Sequence, residues 1–309
     1  MSGISVEIKI GADPELFLRD KNTGKFVSAH DLLPGDKFDP FPVTYGAIQV
    51  DGVAGEFNID PASDPNTFNR NVYGVITQIK DRLPSNIEIV NEPVAFFEKG
   101  YFDTLPDVNR ELGCNPDYNA WTGMVNKRPP EDIVEEDGTI MRTAAGHIHI
   151  GWGAGFNPQD GNHFEDCMVV VRELDYWLGV YSLLWDRDSR RRSLYGKAGA
   201  FRPKSYGVEY RPLSNMWLKD KKLSAWVWDK AYTCIQSILS GGTSCVSKWG
   251  DLAQRTIDNN EYDWYTNDNH PLNPLRNYFC FETPPGAILD KQEVNELATP
   301  KPRTRKKVG

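Results

Sequence analysis

Hydrophobic and polar residues alternate along VEIKIGADPELFLRD (6–20) on both sides of a Gly-Ala-Asp-Pro break, and Asn22-Thr23-Gly24 then supplies a turn. This pattern predicts an early strand and hairpin. The stretch AIQVDGVAGEFNI (47–59) reads as two short strands around Asp51-Gly52. A helix follows, with Asp64 at its N-cap and Pro65 at its first position, running to about Leu83 where Pro84 stops it. From about Asn86 to Arg142 the chain reads as irregular, broken by Pro93, Pro106, Pro116, Pro129 and Pro130, with EDIVEEDGT as an acidic hairpin or surface loop and GCNPDYNAW (113–121) rich in turns. RTAAGHIHIGW (142–152) reads as a strand. The longest helical pattern spans 162–186, where Phe164, Met168, Val171, Leu174, Leu178, Tyr181 and Trp185 recur at helical spacing and are expected in the core. The stretch 186–215 is a loop rich in Arg and Gly that leads into a strand at about Tyr206–Pro212, and a further helix covers about Leu223–Leu239 before a Gly-Gly stop. The order is α+β, without internal repeats.

Four of these strands carry acids, histidines or arginines two residues apart, a spacing that puts each pair on one face. The pairs are Asp13 and Glu15, Glu56 and Asn58, His147 and His149, and Glu209 and Arg211, with Asp51 just before the second. An acid on a strand is ordinarily a solvated edge residue, but four such pairs call for a common cause. Carboxylates facing one another across adjacent strands repel unless a cation lies between them, and oxygen ligands with one imidazole suit Mg²⁺ or Mn²⁺. Two alternating histidines also occur in zinc hydrolases, but His30, His163 and His270 stand in no recognisable spacing to them. The run 190–204 gathers Arg190, Arg191, Arg192, Lys197, Arg202 and Lys204 among glycines. Arg192, Lys197, Arg202 and Lys204 are candidates for clamping polyphosphate, against the alternative of a solvated charge run.

Composition narrows the class. With 309 residues, 39% hydrophobic and 9 Trp, 13 Tyr and 14 Phe, the chain can bury a sizeable core, and one domain over 1–300 is expected. No apolar run approaches the roughly 20 residues of a membrane span, and MSGISVEIKI lacks a signal-peptide layout, so a cytoplasmic protein without membrane partners is expected. Five scattered cysteines without a Cys-x-x-Cys pair read as reduced, mostly buried thiols. The net charge of −8 argues against broad nucleic-acid binding, although the tail 301–309, KPRTRKKVG, carries five positive charges and no acid.

In this order the motifs resemble the glutamine synthetase and glutamate–cysteine ligase superfamily. IGADPELFL resembles its first acid-x-acid motif, DGVAGEFNI the second acidic motif, AGHIHIGW the histidine motif and YGVEYRPLSN the final Glu-x-Arg motif, together covering about residues 8–216. GCNPDYNAW and RPKSYGVEYR are similar to a phage-encoded group, the COOH–NH2 ligase type 2 family. The resemblance implies a curved, mainly antiparallel sheet with helices on its outer face. It assigns Asp13, Glu15, Asp51, Glu56 or Asn58, His147 and Glu209 to metal, and His149 and Arg202 to nucleotide phosphate. Arg211 falls to the substrate carboxylate or its acyl phosphate, and Asp51, Arg202 and Arg211 take the catalytic places. Two positions depart from the pattern: Asp13 is shorter than the usual Glu, and Asn58 stands where an acid is usual.

The implied activity joins a small-molecule or peptide carboxylate to an amine, using ATP and Mg²⁺ or Mn²⁺, in the cytoplasm of the host if the chain is phage-encoded. The rivals are a non-catalytic virion or host-interaction protein on the same fold, a phosphagen-kinase-like phosphotransferase and a zinc amidohydrolase.

Overall fold

The computed structural model describes residues 7–110, 117–127, 133–278 and 283–289. Thirteen strands are present among them: β1 (Lys9–Asp20), β2 (Phe26–Val27), β3 (Phe41–Val43), β4 (Gly46–Asp51), β5 (Ala54–Ile59), β6 (Ile87–Val90), β7 (Val94–Glu98), β8 (Tyr118–Asn119), β9 (Ile133–Val134), β10 (Thr139–Thr143), β11 (Gly146–Gly151), β12 (Ala200–Lys204) and β13 (Gly207–Tyr210). Ten form one antiparallel sheet in the order β3-β4-β5-β1-β11-β13-β12-β8, with β2 and β6 pairing β1 off this path. The remaining three, β7-β10-β9, form a small second sheet.

Period-two patterning gives the large sheet two unlike faces. Ile10, Ala12, Leu16, Ile48, Phe57, Ile148, Ile150, Phe201, Val208 and Tyr210 are buried in one core with the helices. The alternate positions carry the charged residues of the sequence motifs. Three long helices supply the apolar layer, each started by an aspartate. Asp64 accepts from the N–H groups of Asn66 and Thr67 ahead of Pro65–Lys80, Asp160 from Asn162 and His163 ahead of Gly161–Leu174, and Asp220 from Lys222 ahead of Lys221–Leu239. Phe68, Val72, Val75 and Ile79 form the buried stripe of the first, and Leu223, Trp226, Val227, Ala231, Cys234 and Ile235 that of the third. The chain is thus an α+β protein with a large antiparallel sheet and helices.

Several elements differ from the pattern reading. β1 runs without interruption through Gly11-Ala12-Asp13-Pro14. Proline is tolerated there because β1 changes partners at that point: β11 pairs Lys9 to Pro14, whereas the β5 ladder begins only at Glu15. The region read as irregular holds β6 to β10, of which β6, β7 and β10, with Phe17, Val53 and Ala54, build a second core around Phe97, Phe102 and Ile140. Ile133–Val134 and Thr139–Thr143 do form the acidic hairpin. The Arg/Gly-rich loop contains a helix, Ser189–Leu194, and β12. The helix after Leu174 continues as a π turn, Asp175–Gly179. Gly179 is required in it, because a Cβ there would lie 2.6 Å from the Tyr210 hydroxyl.

Cys167, Cys234 and Cys245 are free, buried thiols. Cys114, Cys280, Pro116, Pro129, Pro130, the first residues of GCNPDYNAW and the basic tail lie outside the described residues. Among the described residues no helix is long and apolar enough to cross a membrane.

Candidate active site

Strand register decides which motif residues meet. Asp13 on β1 stands opposite His147 on β11, His149 opposite Glu209 on β13, and Glu209 opposite Arg202 on β12. On the other flank of β1, Glu15 stands opposite Glu56 on β5, and Glu56 opposite Gln49 on β4. Two groups that could hold a metal ion result. Asp13, His147 and Glu209 offer donor atoms within 4.8 Å of one another, and so do Glu15, Asp51 and Glu56.

In the first group, Nδ1 of His147 lies 3.4 Å from Oδ1 of Asp13 and 3.5 Å from Oε1 of Glu209. Burial and the neighbouring Arg211 guanidinium pull His147 down to about 4, which leaves a neutral imidazole able to ligate. Burial and Asp13 raise Glu209, but the Arg211 guanidinium leads the groups that outweigh them and hold the carboxyl at about 2. Cations crowd this carboxylate: Lys204 Nζ lies 2.7 Å from Oε2, Arg202 Nη1 lies 3.7 Å from Oε1, and Arg211 Nη1 donates to Oε1. Arg211 is buried and reaches further, with Nε donating to Asp117 Oδ2 at 3.0 Å and Nη1 to His147 Nδ1 at 3.3 Å. His149 sits between Asp13, whose Oδ1 is 2.9 Å from Nε2, and the Tyr206 hydroxyl at Nδ1. Burial opposes its protonation, but Asp13 prevails and raises its pKa. The two neighbouring histidines thus shift in opposite directions, His147 downward through burial and Arg211, His149 upward through Asp13.

The second group is all carboxylate. Burial and then Asp51 push Glu15 up to about 7, against the Ala145 N–H that donates to its Oε2 at 2.8 Å. Glu56 is raised well above its usual range by burial and by Asp13, Glu15 and Asp51, although Gln49 Nε2 donates to its Oε2 at 3.0 Å. Burial raises Asp51 too, with Lys37 opposing. Three acids that cannot all ionise without help are a fitting donor set for a hard divalent cation, which takes oxygen ligands. The N, O, O set of the first group fits Mg²⁺ or Mn²⁺ as well.

Beside both groups opens a cavity of about 500 Å³, lined by Asp13, Glu56, Asn58, Ile59, His149 and Tyr206, with Gly11, Gly151 and Gly153 leaving part of its wall bare of side chains.

The motif residues Asp13, Glu15, Asp51, Glu56, His147, His149, Arg202, Lys204, Glu209 and Arg211 therefore share one face. Asn58 belongs to neither ligand group but is exposed at the cavity. Two positions expected at phosphate lie elsewhere. Arg192 is buried below the sheet, where Nε donates to Asn260 and Nη2 to the Asp186 carbonyl. Lys197 is exposed and lowers the pKa of Asp258. The Ser189–Leu194 helix turns Arg192 inward, a direction that a run of arginines does not reveal. Pattern reading passed over Asp117, Tyr206 and Gln49. Only Gln49 carried a signal, since it alternates with Asp51 on β4.

Residues 140–240 match the family described as Phage phiEco32-like COOH.NH2 ligase-type 2. That stretch holds His147, His149, Arg202, Lys204, Glu209 and Arg211, and excludes β1, β4 and β5 with the second acid group. The likeness supports an enzyme of the ligase kind. Comparison with curated proteins finds no match.

Proposed function

We propose that the chain is an ATP- and Mg²⁺-dependent carboxylate–amine ligase that forms an amide through an acyl phosphate. The observation that carries this reading is the meeting of two ligand groups, centred on Asp13 and Glu15, with Arg202, Lys204 and Arg211 on one face beside a cavity. Asp13, His147 and Glu209 would hold one divalent ion, and Glu15, Asp51 and Glu56 another. Bound there, such ions neutralise phosphate charge and polarise the bond to be broken.

The cavity beside Asp13, Glu56 and His149 is the place for the nucleotide, with His149, whose pKa Asp13 raises, facing its phosphates. A substrate carboxylate oxygen attacks the γ-phosphorus, the bond to the β–γ bridging oxygen breaks, and ADP leaves. Arg202 and Lys204 oppose the charge that develops on the transferred group. Arg211 orients the carboxylate and its acyl phosphate, with Asp117 and Glu209 fixing the plane of its guanidinium. The amine then attacks the acyl carbon, phosphate departs, and the Asp51 oxygen that would not ligate the ion takes the amine proton.

Incubating the protein with ATP, Mg²⁺, hydroxylamine and a panel of carboxylates tests this directly, because hydroxylamine traps an acyl phosphate as a hydroxamate without the native amine. ATP-dependent hydroxamate is the expected product. ADP release without hydroxamate across the panel would favour a phosphotransferase, and absence of nucleotide binding by calorimetry would favour a non-catalytic role.

A further inference from the structure

Arg191 is almost wholly buried, and its guanidinium spends its donors on backbone carbonyls. Nε donates to Ala144 at 2.9 Å, Nη1 to Pro212 at 2.8 Å and Nη2 to Leu213 at 2.8 Å. Burying a cation among dipoles is costly, so a structure that does so derives something from the fork. These three carbonyls belong to two chain segments that flank the site, the entry to β11 and the exit of β13. The segments are also tied to each other, with Gly146 N–H donating to Leu213 O at 2.9 Å.

The entry to β11 is what holds Glu15. Glu15 N–H donates to Ala145 O at 2.9 Å, Ala145 N–H donates to the Glu15 Oε2 carboxylate at 2.8 Å, and Asn215 Nδ2 from beyond the exit of β13 donates to Glu15 O at 2.9 Å. Backbone and side chain of Glu15 are therefore fixed by the two segments that Arg191 straps together.

We infer that Arg191 is a positioning residue for the Glu15 carboxylate: by clamping Ala144 to Pro212 and Leu213 it aims the Ala145 N–H and so sets where Glu15 presents its oxygens to a divalent cation. The inference rests on the reading that Glu15, Asp51 and Glu56 hold such an ion. Burial draws the guanidinium down to about 10, with Arg192 and Arg211 adding to the fall and Asp186 and Glu15 opposing it. Gly196 keeps the fork in place from the other side, since a Cβ there would stand 2.6 Å from Arg191 Nη1 and 3.3 Å from Pro212 O.

The test is Mn²⁺ titration of the full chain by calorimetry, well below the unfolding temperature of every variant. Arg191→Lys keeps the charge and loses the fork. Gly196→Ala displaces the fork without touching a site residue and covers the case in which Arg191→Lys does not fold. Both should bind Mn²⁺ roughly 10- to 100-fold more weakly than wild type, the range for a residue that orients a ligand. In a Glu15→Gln background the same substitutions should leave the residual affinity unchanged, because the carboxylate they position is gone. A fall of equal size in that background, or wild-type affinity in both single variants, overturns the inference. A wild-type chain that binds no Mn²⁺ overturns the metal reading itself, and the inference with it.

Discussion

At the scale of single residues the acids of the second group make a pH-dependent liability. Glu15 sits at about 7 in the folded chain against 4.5 as its ordinary value. The folded state thus keeps a proton that the unfolded state has already lost. Stability contributed by that proton is complete below about 4.5 and is lost as pH rises to about 7, with an upper bound of about 3 kcal/mol. Metal-free wild type should therefore lose urea stability over this window relative to Glu15→Gln, whose side chain does not titrate, and saturating Mn²⁺ should remove the difference. Parallel pH profiles for the two proteins would show that Glu15 ionises normally. Arg211 carries the second expectation. Lysine in its place cannot serve Asp117 and Glu209 with one planar fork, so Arg211→Lys should lower hydroxamate formation about 30- to 1000-fold, or about 2–4 kcal/mol, with ATP binding intact. Near wild-type turnover would remove Arg211 from the reaction. Both residues were legible in the sequence because a spacing of two fixes a shared face without knowledge of the fold. Asp117 was not, for it stands in no periodic pattern and meets Arg211 only across 94 positions of chain. Nor was the difference between His147 and His149, which depends on the cation or anion that register sets beside each.

Among the elements, the π turn Asp175–Gly179 connects the helix layer to the site. Asp175 is fully buried and accepts from Trp121 Nε1 at 2.6 Å and from the Tyr210 hydroxyl at 2.8 Å. Tyr210 lies between Glu209 and Arg211, and Trp121 follows β8 as Asp117 precedes it, so one carboxyl supports two walls from behind. Asparagine there offers one acceptor to two donors. Asp175→Asn should lower the unfolding free energy in urea by about 1–3 kcal/mol, the cost of a buried donor without a partner. An unchanged midpoint would mean that these donors are satisfied elsewhere. Elements with a clean period, such as β4, β5, β11 and the Pro65–Lys80 helix, were read from sequence to within a few residues. β12 was missed although Phe201-Arg202-Pro203-Lys204 alternates, because Pro203 and the surrounding Arg and Gly argue for a loop. The strand tolerates Pro203 where its β8 neighbour has already ended. The π turn has no sequence signature at all.

For the whole molecule, a face of acids over an apolar helix layer should be stabilised by what it binds. Mn²⁺ at a hundredfold excess over its dissociation constant should add about 2.7 kcal/mol per site, visible as a rise in Tm, with a further rise on adding a non-hydrolysable ATP analogue. A Mn²⁺-dependent rise that survives Glu15→Gln combined with Glu209→Gln would place the ion elsewhere. Both ligand groups, moreover, hang on one strand, since Asp13 and Glu15 share a face of β1 while Ala12 before them and Leu16 after them face the helices. β1 thus works as a reading frame. One extra residue within Lys9–Asp13 would present Ala12-type positions to the cavity and acids to the core, erasing both groups in a single step, whereas the same insertion in the 21–25 turn would leave the frame intact. In a scan of single-alanine insertions, tolerance of metal binding should therefore drop abruptly at Lys9 and recover past Leu16, tracing the part of the strand on which the chemistry is written.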